Sequence, residues 1–262
     1  MLSARNQLYF YADQPVVILV EPQLGENIGM VARAMSNFSL SRLRLVNPRD
    51  GWPNERARVT ASKGGSIIDN VCVFTSLEEA IADLNFVYAT TARNRDSFKP
   101  VDSPEKAAFA LKMRILSHQA VGLVFGRECS GLTNKELTLV DEIITFPVNS
   151  SSSSLNISQA VLLMAWEFMK INLKNVSEKN ILKYNNKPAT KDELFNLFMH
   201  LEHALEVRGY FYPVEKKEKM IDNLRAVLMR PGFTHEELTV LRGVISSLDR
   251  FSENFPRGDR RL

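Results

Sequence analysis

The chain has 262 residues, 45% of them hydrophobic and 24% charged, with a formal net charge of +3. That length buries a full core with room for an appendage, and the charge is too small to announce a nucleic-acid partner by itself. Two cysteines exclude a disulfide framework and suit a reducing compartment. Met1 to Gln14 lacks the apolar region of a signal peptide, and no run approaches the roughly 20 residues of a membrane span, so a cytoplasmic protein without membrane contact is expected.

From Val16 to about Lys174 strand-like and helical patterns alternate. The runs Val16–Val20, Leu43–Val46, Val71–Phe74, Phe86–Ala89, Val121–Phe125 and Ile143–Phe146 are short, continuous and rich in Val, Ile and Phe, as parallel strands buried on both faces are. Helical patterns lie between them at Asn27–Phe38, Leu77–Ala82, Pro104–Leu116 and Thr133–Val140. Ser103-Pro104 marks one start, and Thr133 with Glu136 stands in capping-box spacing at another. Such alternation predicts one α/β domain with a mostly parallel sheet, over residues 1–174. The segment Asn175–Lys191 is polar and reads as a linker with at most one short helix. Three amphipathic helices follow, carried by Leu194 to Leu205, Met220 to Leu228 and Leu238 to Leu248, so residues 175–262 form an all-helical extension.

Three polar segments break the apolar runs. Asn27-Ile28-Gly29-Met30-Val31-Ala32-Arg33 follows the first strand and opens a helix; Asn27 both donates and accepts, Gly29 lets a backbone come close, and Arg33 carries a fork-shaped donor matched to phosphate. Phe125-Gly126-Arg127-Glu128 ends a second strand, where Gly126 would admit a ligand to the backbone and Glu128 would accept from a hydroxyl or amine. After Phe146-Pro147 comes a run of serines, then Ser153-Ser154-Leu155-Asn156-Ile157-Ser158 at the start of a long helix, presenting hydroxyls, an amide and free backbone N–H groups. Taken singly, each is equally an ordinary turn with solvated charges.

Together and in this order, the three segments resemble the motifs of the SPOUT superfamily of RNA methyltransferases. The likeness is to its SpoU-type branch and, within it, to the TrmJ group of bacterial tRNA ribose 2′-O-methyltransferases. Thr90-Thr91-Ala92-Arg93-Asn94-Arg95 resembles a further segment of that group, and Leu224–Leu248 is similar to its C-terminal helices. The resemblance implies a trefoil knot in the C-terminal part of the α/β domain, a homodimer packed there, and S-adenosylmethionine as cofactor. It implies cofactor contact by Thr90, Thr91, Ala92, Gly126, Glu128, Phe146, Pro147, Ser153, Ser154, Leu155 and Asn156. Arg33 is the implied catalytic residue, with Asn27 and Ser154 beside it, while Arg33, Arg93, Arg95 and Arg127 would face RNA. The implied reaction is methyl transfer to a tRNA ribose, at cytidine or uridine 32 of the anticodon loop. The alternatives are a SpoU-type enzyme acting on rRNA or another tRNA position, and a non-catalytic RNA-binding member.

An in-line methyl transfer to a 2′-hydroxyl needs alignment and stabilisation of negative charge, and it needs no metal. His200 and His203 share a helix face without a further ligand set. Neither a dinucleotide-binding nor a phosphate-loop glycine motif is present, against a dehydrogenase or a nucleoside triphosphatase. In the tail, Lys216, Lys217, Lys219, Arg225 and Arg230 lie close together and Arg257, Arg260 and Arg261 follow, which is either a solvated face or a tRNA contact.

Overall fold

A computed structural model describes residues 14–92, 99–149, 151, 154–173, 188–229 and 232–249. The chain divides into two compact units, Met1–Lys183 and Tyr184–Leu262.

The first unit is built on β1 (Val16–Val20), β2 (Leu43–Val46), β3 (Cys72–Phe74), β4 (Phe86–Thr90), β5 (Val101–Asp102), β6 (Val121–Phe125) and β7 (Glu142–Ile144). All pair in parallel in the order β3-β2-β1-β6-β4-β7-β5. Strands β1, β2 and β6 are buried throughout; β1 and β6 are apolar runs covered on both faces, and in β2 the buried Arg44 is paired with Asp83 and the Ala80 carbonyl. The expectation of burial fails for β3, an edge strand that leaves Cys72 and Val73 exposed. Strand β7 ends at Ile144 rather than Phe146, because the chain leaves the sheet there.

Between the strands lie α1 (Gly25–Asn37), α2 (Glu55–Ala61), a 3-10 turn (Ser62–Gly64), α3 (Gly65–Asp69), α4 (Leu77–Ile81), α5 (Pro104–Leu116), α6 (Asn134–Thr138) and α7 (Ile157–Leu173). Helix α5 starts on Ser103 with Pro104 at its first position, and Thr133 and Glu136 complete their capping box. Helix α1 begins two residues before Asn27, its first turn closed by the Leu24 carbonyl, which accepts from Asn27 and Ile28. Helix α7 packs on α1 and α5. Val31, Met35, Leu111, Val161, Met164 and Phe168 join the sheet residues in one core.

Helices α2 and α3 are absent from the sequence reading, since the buried positions of α2 are only Ala57 and Ala61. Their packing depends on glycine. A Cβ on Gly29 would lie 1.9 Å from Thr60 Oγ1 and 2.3 Å from the Ala57 carbonyl, so the backbone that Gly29 admits is that of α2.

The second unit contains α8 (Lys191–Val207), α9 (Lys217–Leu228) and α10 (His235–Asp249). Helix α8 opens on a capping box of Thr190 and Glu193. Leu194, Leu197, Phe198, Met229 and Leu238 form its small core. Among the described residues no helix is long and apolar enough to cross a membrane.

Candidate active site

Strands β6, β4 and β7 are neighbours in the sheet, and the segments that leave their C-terminal ends wall a single pocket. This is where open parallel sheets place ligands. The wall takes Thr90, Thr91 and Ala92 from the end of β4, Phe125 to Gly131 from β6, Phe146 and Val148 after β7, and Ser154, Leu155, Ile157 and Ala160 at the start of α7. The cavity has a volume of about 130 Å³ and opens to solvent. Apolar side chains alternate with hydroxyls, as an amphipathic ligand requires.

A polar network ties the three motif segments together through Glu128 of the pocket wall. Asn27, only 4% exposed, donates through Nδ2 to Glu128 Oε1 at 3.0 Å and accepts at Oδ1 from Asn156 Nδ2 at 3.1 Å. The Gln23 backbone N–H donates to both Glu128 oxygens, at 3.2 and 3.0 Å. Asn156 Oδ1 accepts in turn from the backbone N–H and the hydroxyl of Ser158. A carboxylate held beside the start of α1 also meets the positive end of the helix dipole. Asn27 and Asn156 thus hold loops in place. Asn156 is absent from the pocket wall, as is the exposed Pro147, while Glu128 is on it.

Gly126 lines the pocket, but the approach that it permits is internal. A Cβ there would stand 2.5 Å from the Gly131 carbonyl carbon and 2.6 Å from the Leu132 nitrogen. The segment folds back on itself, with an antiparallel bridge between Arg127 and Gly131.

Arg127 is not a free RNA-facing arginine. Its guanidinium makes a two-pronged contact with Glu136, at 3.0 and 2.9 Å, and reaches Glu21 at 2.7 Å. With the side chain 15% exposed, those carboxylates occupy its donors. The same contacts raise the Arg127 pKa above its already high ordinary value. The hydrogen bond from Arg127 holds the Glu21 carboxyl below the usual range. Burial pushes Glu136 up, yet Arg127 and the Thr133 N–H together bring it below that range.

Arg33 is exposed on α1 and makes no side-chain hydrogen bond or ion pair among the described residues. It is absent from the pocket wall. Arg93, Arg95 and Ser153 lie outside the described residues. Sequence reasoning missed Phe125, Cys129, Ser130, Gly131, Val148, Ile157 and Ala160 as lining residues. Their proximity to the three motifs was the available signal.

On β4, the phenol of the fully buried Tyr88 lies 2.8 Å from both Asp102 Oδ2 and Glu142 Oε2. The single O–H is shared between the two carboxylates. Burial, with the Asp102 charge adding, raises the Glu142 pKa despite the Tyr88 contact, and burial likewise raises that of Tyr88.

In the second unit Arg225 makes a two-pronged contact with Glu202 at 2.6 and 2.8 Å, and Lys217 pairs with Glu206 at 2.5 Å. Two of the cations considered for RNA contact are therefore committed to neighbours. Arg230, Arg257, Arg260 and Arg261 lie outside the described residues. No group of three or more His, Cys, Asp or Glu suited to a metal occurs among the described residues.

Comparison with known proteins finds two matching family models. The SpoU rRNA methylase family covers residues 14–166, and the C-terminal domain of the tRNA methyltransferase TrmJ covers residues 192–256. The tRNA (cytidine/uridine-2′-O-)-methyltransferase TrmJ of Pectobacterium atrosepticum is 33% identical over 234 residues, which is 89% of this chain and 96% of that protein. The tRNA (cytidine/uridine/adenosine-2′-O-)-methyltransferase TrmJ of Pseudomonas aeruginosa is 32% identical over 256 residues, 94% of this chain and 99% of the other. Among solved structures, TrmJ from Z. mobilis ZM4 superposes with a TM-score of 0.81 at 43% identity, covering 90% of this chain and all of that one. A methylase family protein from Haemophilus influenzae Rd KW20 gives 0.58 at 28% identity, covering 91% and 97%.

Proposed function

Because the chain belongs to the SpoU rRNA methylase family, we propose that it is an S-adenosylmethionine-dependent tRNA ribose 2′-O-methyltransferase acting on cytidine or uridine. The observation that carries the reading is the pocket at the ends of β4, β6 and β7, joined by Asn27 to the helix that bears Arg33. The relatives named for this activity match over both units, and a TrmJ C-terminal domain supports tRNA over rRNA as substrate. Position 32 of the anticodon loop rests on the sequence resemblance alone, as does the knotted course of the chain.

The lining fits the cofactor's mixed chemistry. Phe146, Val148, Leu155, Ile157 and Ala160 would take an aromatic base, and Thr90, Thr91, Ser130 and Ser154 would take its polar groups. The cofactor, when bound, supplies an electrophilic methyl group. The residues of this chain position the ribose hydroxyl in line and favour negative charge on its oxygen. A guanidinium is not a working general base, so the role of Arg33 is a different one. Arg33 grips a substrate phosphate and stabilises developing charge, and the exposed Ser154, on the pocket wall, orients the nucleophile. Exposed apolar residues Leu162, Leu163 and Trp166 on α7, with Met30 on α1, suit pairing with a second copy of the chain.

Incubation with tritiated S-adenosylmethionine and tRNA, followed by mass mapping of methylated riboses, tests this reading. Transfer to a single cytidine or uridine, unchanged by chelator, is expected. Methylation of rRNA but not tRNA, or cofactor binding without transfer to any RNA, would overturn it.

A further inference from the structure

We propose that Lys63 is a second phosphate-binding residue for the RNA substrate, acting beside Arg33; this rests on the methyltransferase reading above. Helix α2 stops at Ala61, and Ser62 turns the chain through a left-handed φ of 49° into the 3-10 turn that holds Lys63 and Gly64. Gly64 is seated on the backbone of α1 at Arg33 itself. A Cβ there would lie 2.7 Å from the Ala32 carbonyl carbon and oxygen, and 2.9 Å from the Arg33 nitrogen. No side chain fits, so the turn stays at that place and carries Lys63 to the surface next to Arg33.

The surrounding charges support a ligand role. Arg56 pairs with Glu26 and Arg58 with Asp69. Lys63, like Arg33, is exposed and has no hydrogen bond or ion pair among the described residues. On α1 and α2 the other acid is Glu55, at the opposite end of α2 and about 10 Å away at helical rise. Lys63 and Arg33 are thus exposed cations on neighbouring backbone with no counterion among the described residues, and a polyanion laid across this face would supply one. A second contact, on the neighbouring phosphate, adds equally to the hold on bound substrate and on the transition state. Lys63 is thus a substrate-binding residue beside Arg33.

The test uses the full chain with tRNA. Lys63→Ala is expected to raise KM for tRNA about fivefold, the upper range for one exposed charge pair, with kcat within about twofold of the wild type. The logarithmic salt dependence of tRNA binding should flatten by about 0.7, one phosphate contact to a single strand. Lys63→Glu should be worse, Lys63→Arg close to wild type, and cofactor affinity unmoved in all three. A Lys63→Glu enzyme with wild-type KM and salt slope would overturn this inference while leaving the function standing. A wild-type protein that methylates no tRNA would overturn both.

Discussion

Asn156 donates its side-chain amide to the side-chain oxygen of Asn27 across 129 residues of sequence, at 3.1 Å. Asn27 passes the connection on to Glu128. The first helix of the fold and the loops after β6 and β7 are therefore fixed relative to one another by one buried amide. Each atom of that amide has its partner, which a buried polar group needs in order not to cost stability.

Asn27→Ala should remove both bonds and leave Glu128 with only the Gln23 N–H. The expected loss is about 2 kcal/mol, a fall of about 5 °C in melting midpoint for a chain of this size, together with weakened cofactor affinity. Thermal denaturation and calorimetric titration measure the two. An Asn27→Ala protein of unchanged midpoint that binds cofactor normally but fails to transfer methyl would restore a direct catalytic part for Asn27.

Arg127→Ala should destabilise more than it affects RNA. It strands Glu136 and Glu21 without their cation, and breaking a largely buried pair costs about 3 kcal/mol. Urea denaturation at neutral pH should show the loss, and the salt slope of tRNA binding should stay as in the wild type. A flatter salt slope with full stability would return Arg127 to the RNA-facing set.

The charged clusters respond to pH in opposite senses. Glu21 and Glu136 have lowered pKa values, so the stability that they contribute is present above the ordinary glutamate range and is lost as pH falls through their native values. Glu142 is raised, mainly by burial. Its contribution is full below the ordinary range and is lost as pH rises through its native value. Glu142→Gln should therefore gain stability relative to the wild type on going from pH 4 to pH 8, and Glu136→Gln should lose it. Melting midpoints across that range decide; a Glu142→Gln difference that is flat with pH would mean that the carboxyl titrates normally beside Tyr88.

Much of the sheet was legible because buried parallel strands write themselves as short, mostly apolar runs, as β1 and β6 do. Helix α2 and the turn after it were not legible, because Ala57, Ala61 and Gly64 make close backbone packing with no apolar stripe for periodicity to detect. At the site, residue types pointed to loops that wall the pocket but not to the contacts that their side chains make. Gly126 reads as room for a ligand, yet Gly131 and Leu132 fill that room. Arg127 reads as solvated because its partner Glu21 is 106 positions away, and sequence spacing carries no sign of such a contact.

Gly126→Ala should separate the pocket from the rest of the machinery. The added methyl meets backbone at 2.5 and 2.6 Å, which cannot move aside as a side-chain tip would, so the Arg127–Gly131 turn must open. Cofactor affinity is expected to fall at least tenfold with a stability loss of about 1–3 kcal/mol. Equal affinity in calorimetry would show that this turn does not contact the cofactor.

Arg33→Ala tests the catalytic assignment from the other side. Arg33 stands off the pocket wall and contributes no hydrogen bond or ion pair to the fold among the described residues. Its removal should therefore leave the melting midpoint unchanged and cofactor affinity within about tenfold. Methyl transfer in single turnover should nonetheless fall by several orders of magnitude, since the proposed role of Arg33 is contact with the substrate phosphate and the developing charge. Arg33→Lys should restore little, because an ammonium keeps the charge without the two-pronged geometry. An active Arg33→Ala enzyme would remove Arg33 from the mechanism. An inactive one that no longer binds cofactor would place Arg33 in a cofactor site completed by a second copy of the chain.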